Sequence, residues 1–79
     1  MLTGENKMTF FEYMQQQIKR DDPVGDLAGD MSLDSRLFPS EKLPDYSIDQ
    51  WRARLKLKGW GNPAVIITFE TAVKEFESL

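Results

Sequence analysis

The sequence contains no cysteine and no histidine. Without cysteine the chain has neither disulfides nor thiolate chemistry, and without histidine it lacks the commonest general acid–base group and the commonest metal ligand. No apolar run approaches the ~20 residues of a membrane span. We also find no apolar segment that follows basic residues in the way typical of a signal peptide. These absences predict a cytoplasmic protein that is not an enzyme and takes no cofactor, metal, membrane or small-molecule substrate.

The charge of the chain is small in total but uneven along the sequence. The 79 residues carry a net charge of −3, and 41% of them are hydrophobic, which is enough for one domain with one core. Residues 21–46 hold seven acids against two bases, namely Asp21, Asp22, Asp26, Asp30, Asp34, Glu41 and Asp45 against Arg36 and Lys42. The pattern then inverts, since residues 47–58 hold four bases, Arg52, Arg54, Lys56 and Lys58, against Asp49.

The strongest helix pattern is at the end of the chain, from Asn62 to Leu79. Asn62 is a good N-cap and Pro63 suits the first helical position, where the missing amide has no internal partner. Apolar residues then follow at steps of three and four, which places them on one helix face: Val65, Ile66, Phe69, Ala72, Val73 and Phe76. The rest of the chain must cover that face.

Two earlier helices begin with equally clear signals. Thr9 with Glu12 forms a capping-box pattern, and we expect the first helix to end at Arg20 or Asp21, before the proline. Asp22 with Pro23 opens a second helix, whose apolar stripe is Val24, Leu27, Ala28 and Met31. Within the second helix, Gly25 and Gly29 indicate either close approach of another helix or a short, weak element.

A connector is expected next, from Ser32 to Asp45. We expect Phe38 to fold back into the core, and either Leu37 or Leu43 to do the same. Ser47 with Gln50 then caps a third helix that buries Ile48, Trp51 and Leu55 and stops at Lys58–Gly59. The prediction is a compact all-α domain over residues 9–79, with four crossed helices of about ten to sixteen residues, behind a flexible tail at residues 1–8.

Several of these residues resemble the YozE family of short bacterial proteins. They are Phe11-Glu12-Tyr13, Asp22-Pro23, Asp26-Leu27-Ala28, Phe38-Pro39, Asp45-Tyr46, Ile48 and the closing set Phe69, Val73 and Phe76. The resemblance implies an orthogonal four-helix bundle similar to the sterile alpha motif (SAM), with no catalytic residues to carry over. The chain departs from the family pattern at Val73 and Phe76, where tryptophan and tyrosine are expected.

The segment from Asp30 to Glu41 has oxygen side chains at positions one, three, five and twelve, as in a calcium-binding EF-hand loop. Ser35 replaces the glycine that such a loop needs, and Pro39 stands where its second helix should begin. We therefore interpret the segment as a solvated acidic connector.

The contact residues are expected on two charged surfaces. One is acidic, with Asp26, Asp30 and Asp34, and the other is the basic third helix with Arg52, Arg54, Lys56 and Lys58. Trp60 is a candidate anchor, since tryptophan is prominent at protein contacts. The leading hypothesis is a protein–protein interaction module whose partner is another protein or a second copy. The alternatives are a nucleic-acid-binding accessory protein that uses the basic helix, and a small acidic inhibitor that imitates nucleic acid.

Overall fold

The computed structural model describes residues 8–57 and 63–79. Within these ranges the chain is all-helical, as predicted, with four α-helices, two short 3₁₀ turns and no strand. The helices are α1 (Phe10–Gln15), α2 (Pro23–Leu37), α3 (Ile48–Leu57) and α4 (Pro63–Glu77), and the 3₁₀ turns are Pro39–Glu41 and Leu43–Asp45. Met8 is half-buried against the core, whereas the rest of the predicted tail, residues 1–7, lies outside the described ranges, as do Asn62 and the predicted stop at Lys58–Gly59.

The first helix is shorter than predicted. Its capping box is confirmed, since the Glu12 amide donates to Thr9 Oγ1 at 3.0 Å and the Thr9 amide donates to Glu12 Oε1 at 2.8 Å. The helix nevertheless ends at Gln15, and a turn follows in which the Arg20 amide donates to the Gln17 carbonyl at 3.0 Å. The turn brings the Arg20 side chain to the carboxylates of Glu75 on α4 and of Asp22 at the start of α2. The contact with Glu75 is non-local, and it overrides the helical preference of residues 16–20.

The second helix is longer than predicted. It begins as expected, with Asp22 Oδ1 accepting from the Gly25 amide at 3.0 Å and Pro23 at the first position. It then continues past Met31 to Leu37, through residues that we assigned to the connector. No proline or glycine interrupts residues 32–37, and the helix ends just before Pro39, which cannot continue it.

The core is filled from every helix and from the second 3₁₀ turn. Its largest fully buried side chains are Met14, Met31, Leu43, Trp51, Leu55 and Phe69. Phe10 of α1 lies edge-on to both Phe69 and Phe76 of α4, with ring centroids 5.4 and 5.5 Å apart, a favourable aromatic geometry. The predicted apolar face of α4 is thus turned inward, with Phe69, Ala72 and Val73 buried and Val65 and Phe76 packed at its edge.

The connector supplies one of the core residues expected of it, Leu43, but not Phe38. Phe38 remains 36% exposed, so its prediction as a core residue is wrong, whereas Leu43 is fully buried. Phe38 closes α2 at the surface, and the chain reaches the core only after a reversal at Lys42, whose φ is +56°. The third helix begins as predicted, because Ser47 and Gln50 make reciprocal capping hydrogen bonds of 2.8 and 3.1 Å.

The two glycines of α2 occupy different environments. A Cβ atom on Gly25 would lie 2.0 Å from the Arg20 carbonyl oxygen, so this position requires glycine because the loop backbone, not another helix, passes against it. A Cβ on Gly29 would meet nothing within 4 Å.

Alanine at these two positions should therefore have opposite effects. We expect Gly25→Ala to lower the free energy of unfolding by about 1–3 kcal/mol, because backbone must shift to accept the methyl group. Gly29→Ala should raise it by about 0.5–1 kcal/mol through helix propensity. Urea unfolding followed by tryptophan fluorescence measures both, and equal effects of the two substitutions would contradict this packing.

Candidate functional site

The predicted basic surface of α3 is largely neutralised by internal ion pairs. Arg52 binds Glu70 of α4 with two hydrogen bonds, from Nε to Oε2 at 2.7 Å and from Nη2 to Oε1 at 2.9 Å. Its Nη1 also donates to Asp49 Oδ1 at 2.6 Å. This pairing raises the pKa of Arg52 and lowers that of Glu70, in each case chiefly through the hydrogen bonds between the two. Arg52 therefore joins α3 to α4.

Arg54 is not a surface residue, which corrects the prediction that it belongs to an exposed basic face. It is only 9% exposed, and its Nε donates to Asp34 Oδ2 of α2 at 2.6 Å. Its Nη1 donates to Glu41 in the first 3₁₀ turn, and its guanidinium lies 5.3 Å from the centre of the Phe38 ring. The pKa of Arg54 is raised, first by its hydrogen bond to Asp34. We call Asp34, Arg54, Glu41 and Phe38 the Arg54 cluster.

The Arg54 cluster also changes the predicted acidic surface of Asp26, Asp30 and Asp34. Asp34 is 4% exposed and faces Arg54, so it is not one of the solvated acids that we predicted. Asp26 and Asp30 are exposed on α2, as expected, and make no ion pair with any residue in the described ranges. Lys56 is exposed on α3, while Lys58 and Trp60 lie outside the described ranges. Of the three predicted bases within the described ranges, Arg52, Arg54 and Lys56, only Lys56 is exposed.

The helical backbone of α2 changes the interpretation of the Asp30–Glu41 segment. Its first eight residues, 30–37, are helical, whereas an EF-hand holds its ion in a loop. In the described part of the chain no group of three or more acidic side chains is placed to hold a metal ion. The interpretation of this segment as a solvated connector is also wrong, since it forms the end of α2 and the Arg54 cluster.

A second ion-pair network fastens α4 to the turn after α1. Arg20 Nη1 donates to Glu75 Oε1 at 2.7 Å, Arg20 Nη2 donates to Asp22 Oδ2 at 2.8 Å, and the Tyr13 hydroxyl donates to Glu75 Oε1 at 2.9 Å. Arg20 and then Tyr13 lower the pKa of Glu75 through their hydrogen bonds. Burial, and then the hydrogen bond to Glu75, raise the pKa of Tyr13. No local pattern in the sequence indicates this pairing, because Glu75 is 55 residues from Arg20 and 62 residues from Tyr13.

Three leucines are exposed toward the ends of α2 and α3, and one of them, Leu37, was expected in the core as the alternative to Leu43. Leu33 is 48% exposed, Leu37 62% and Leu57 87%. Leu37 follows Asp34 by three residues, and Leu57 follows Arg54 by three residues. The ion pair between Asp34 and Arg54 joins these two helix ends. Beside Leu57, a shallow groove of ≈ 330 Å³ is lined by Tyr46, Gln50, Ala53, Arg54, Glu41 and Leu57 itself. Because α2 extends to Leu37, the two exposed leucines Leu33 and Leu37 lie on a rigid helix.

None of the helices in the described ranges combines the length and the apolar character that crossing a membrane requires. No family model, curated protein or solved structure matches this chain. The resemblance to the YozE family therefore stays a prediction.

Removal of one member of the buried ion pair should be far more costly than removal of both. We expect Arg54→Met to lower the free energy of unfolding by about 3–5 kcal/mol, because it leaves a buried carboxylate without its guanidinium. The double variant Asp34→Leu/Arg54→Met should recover most of that loss, since an apolar pair needs no desolvation of charge. Thermal unfolding followed by circular dichroism gives the comparison.

Arg52→Met is the matched control for this cycle. The Arg52 side chain is 31% exposed, against 9% for Arg54, so we expect a loss of about 1 kcal/mol. A loss for Arg54→Met no larger than that for Arg52→Met would show that the Arg54 cluster does not hold the fold.

Acid should weaken the attachment of α4. The pKa of Glu75 is lower in the folded chain than its ordinary value, so its contribution to stability is complete above the unfolded pKa of about 4.3 and is lost as the pH falls through the folded pKa. We expect Glu75→Gln to lower the melting temperature at pH 7 and to lower it progressively less as the pH falls toward about 2.5, because wild-type Glu75 then becomes protonated and loses the same contribution. The exposed Glu77 provides the control, and Glu77→Gln should have little effect at either pH; an equal effect of Glu75→Gln at both pH values would contradict the network.

Proposed function

We propose that this chain is a non-enzymatic protein–protein interaction module of the cytoplasm. The observation that carries the proposal is the exposure of Leu33, Leu37 and Leu57 at the helix ends that the Arg54 cluster holds together. A single exposed leucine is ordinary on a protein surface, whereas Leu33 and Leu37 are one helical turn apart and form a neighbouring pair of the kind that is typical of a binding site. Rigid helices present them, so little conformational entropy is lost when a partner binds.

The distribution of charge favours a protein partner over nucleic acid. Contact with phosphates requires exposed bases, and the guanidinium groups of Arg52 and Arg54 are already bound to carboxylates. Of the predicted basic residues within the described ranges, only Lys56 is exposed without an ion pair there. The alternative of a nucleic-acid-binding accessory protein is therefore the weaker proposal.

We further propose that the chain is a bacterial YozE-family protein with a SAM-like orthogonal four-helix bundle. The support is the position of the residues that carry the resemblance, most of which lie in the core or at helix starts. Phe69 and Val73 are buried, and Asp22-Pro23 opens α2. An experimental structure tests this proposal, and helices packed nearly parallel to one another would contradict it.

Site-directed photo-cross-linking tests the interaction function. A benzoylphenylalanine replaces Leu37 in one variant and Leu57 in another, and a third carries it at Gln16, an exposed position in the turn after α1. After irradiation in the native cells, we expect adducts of discrete mass, resistant to nuclease, from positions 37 and 57 and few from position 16. Mass spectrometry then separates a second copy of the chain from a different protein.

The same experiment has clear contrary outcomes. Adducts that disappear with nuclease, together with a gel shift that weakens steeply with salt, would favour nucleic acid. No protein adduct at either leucine position above that at Gln16 would overturn the interaction function.

A further inference from the structure

The α2 helix has a second ordered face, which points away from the core. Its members are Asp26, Asp30, Leu33 and Leu37, separated by four, three and four residues. At ~100° per residue these side chains fall within an arc of ~60°, and at ~1.5 Å per residue they extend over ~16 Å. All four are exposed, whereas the opposite face buries Val24, Leu27, Ala28 and Met31. We call the exposed set the outer seam of α2.

The spacing of the outer seam is the one by which two helices pack along each other. Residues that repeat at steps of three and four remain aligned with a neighbouring helix, and each side chain enters a gap between side chains of the partner. Gly29 borders the seam, and the space where its Cβ would stand is open to 4 Å. A side chain of a partner helix is able to approach the α2 backbone there. The geometry therefore favours a helix over an extended peptide.

The charges of the outer seam define what that helix must carry. Asp26 and Asp30 are one helical turn apart on the acidic half, where like charges repel mildly, and neither has an ion pair in the described part of the chain. The other half presents Leu33 and Leu37, which are 48% and 62% exposed. A complementary helix has lysine or arginine along one half of its contact face and large apolar residues along the other.

The outer seam does not complement itself. Two parallel copies of α2 would place carboxylates against carboxylates, and two antiparallel copies would place the carboxylates of each against the leucines of the other. Both arrangements are unfavourable, because one leaves like charges together and the other removes charges from water without a partner. The occupant must differ from α2.

We propose that the outer seam of α2 binds one basic amphipathic helix of a different protein; this rests on the proposed interaction function and specifies its partner. Cations of that helix pair with Asp26 and Asp30, and its apolar residues cover Leu33 and Leu37. A contact along ~16 Å of a single helix is smaller than a standard interface, so the complex is transient.

A selection from displayed peptides tests the partner chemistry. A yeast-displayed library of 15-residue helical peptides, randomised along one face, is sorted for binding to the purified chain. We expect enriched peptides to carry at least two lysines or arginines on one half of that face and leucine, methionine or phenylalanine on the other. Enrichment of neutral or acidic faces, or no enrichment, would overturn the proposal.

Variants of the chain then locate the contact, with one enriched peptide labelled for fluorescence anisotropy. Asp26→Asn/Asp30→Asn should weaken binding about fivefold and flatten its dependence on salt, because two exposed charge pairs are lost. Leu37→Ser should weaken it about tenfold or more. The matched controls are Asp45→Asn, an exposed acid in the second 3₁₀ turn, and Ile67→Ser, an exposed apolar residue of α4, both of which should bind like the parent chain. Circular dichroism verifies that each variant is folded.

The outcomes separate this proposal from the one on which it rests. Photo-adducts at position 37 or 57 without a basic peptide preference would leave the interaction function standing and show that the partner chemistry is wrong. Binding that is lost in Leu57→Ser but retained in Leu37→Ser would place the contact on α3 and overturn the outer seam. Sedimentation that shows a dimer, abolished by Asp26→Asn/Asp30→Asn, would identify a second copy as the occupant and would also overturn the proposal.

Discussion

The buried pair between Asp34 and Arg54 determines how the two halves of the chain meet. It joins α2 to α3, and through Glu41 it also holds the first 3₁₀ turn. A buried ion pair adds little stability when the cost of removing both charges from water is counted, but it does not tolerate the loss of one partner. The pair therefore constrains how α2 and α3 are placed relative to each other more than it adds to the free energy of unfolding. It requires α2 to continue as far as Asp34, and it leaves Phe38 to cover the guanidinium at the surface.

Two further arginines fix α4 from different sides. Arg52 of α3 binds Glu70, and Arg20 in the turn after α1 binds Glu75. Glu70 and Glu75 of α4 therefore attach this helix to two separate parts of the chain. Charges that looked like binding surfaces in the sequence are consequently used within the fold. Of the residues predicted to form those surfaces, Asp26 and Asp30 remain exposed without an ion pair in the described ranges, and exposed leucines lie on the same helix. This combination favours contact with a protein over contact with phosphates.

The local parts of the fold were predictable from the sequence, and the non-local parts were not. The helix starts at Thr9, Asp22 and Ser47 depend on partners three residues away, so a short pattern contains the whole interaction. The same holds for the inward face of α4. The end of α1 and the burial of Arg54 depend on partners 20 to 55 residues distant. No spacing in the sequence indicates which of several acids an arginine will reach, and the candidate site was misplaced for that reason.

The outer seam shows how an error in one helix end conceals a candidate binding surface. Steps of four, three and four link Asp26 to Leu37 in the sequence itself, but the pattern has meaning only if the backbone is helical throughout. Once α2 was predicted to end near Met31, Leu33 and Leu37 became unrelated residues of a connector. The fold gains only part of the burial energy of these two leucines, since each keeps about half of its surface in water and forgoes about half of the roughly 2 kcal/mol that full burial gives. Their alignment with two carboxylates that have no ion pair among the described residues, on a helix already anchored by its opposite face, is therefore better explained by a partner than by folding.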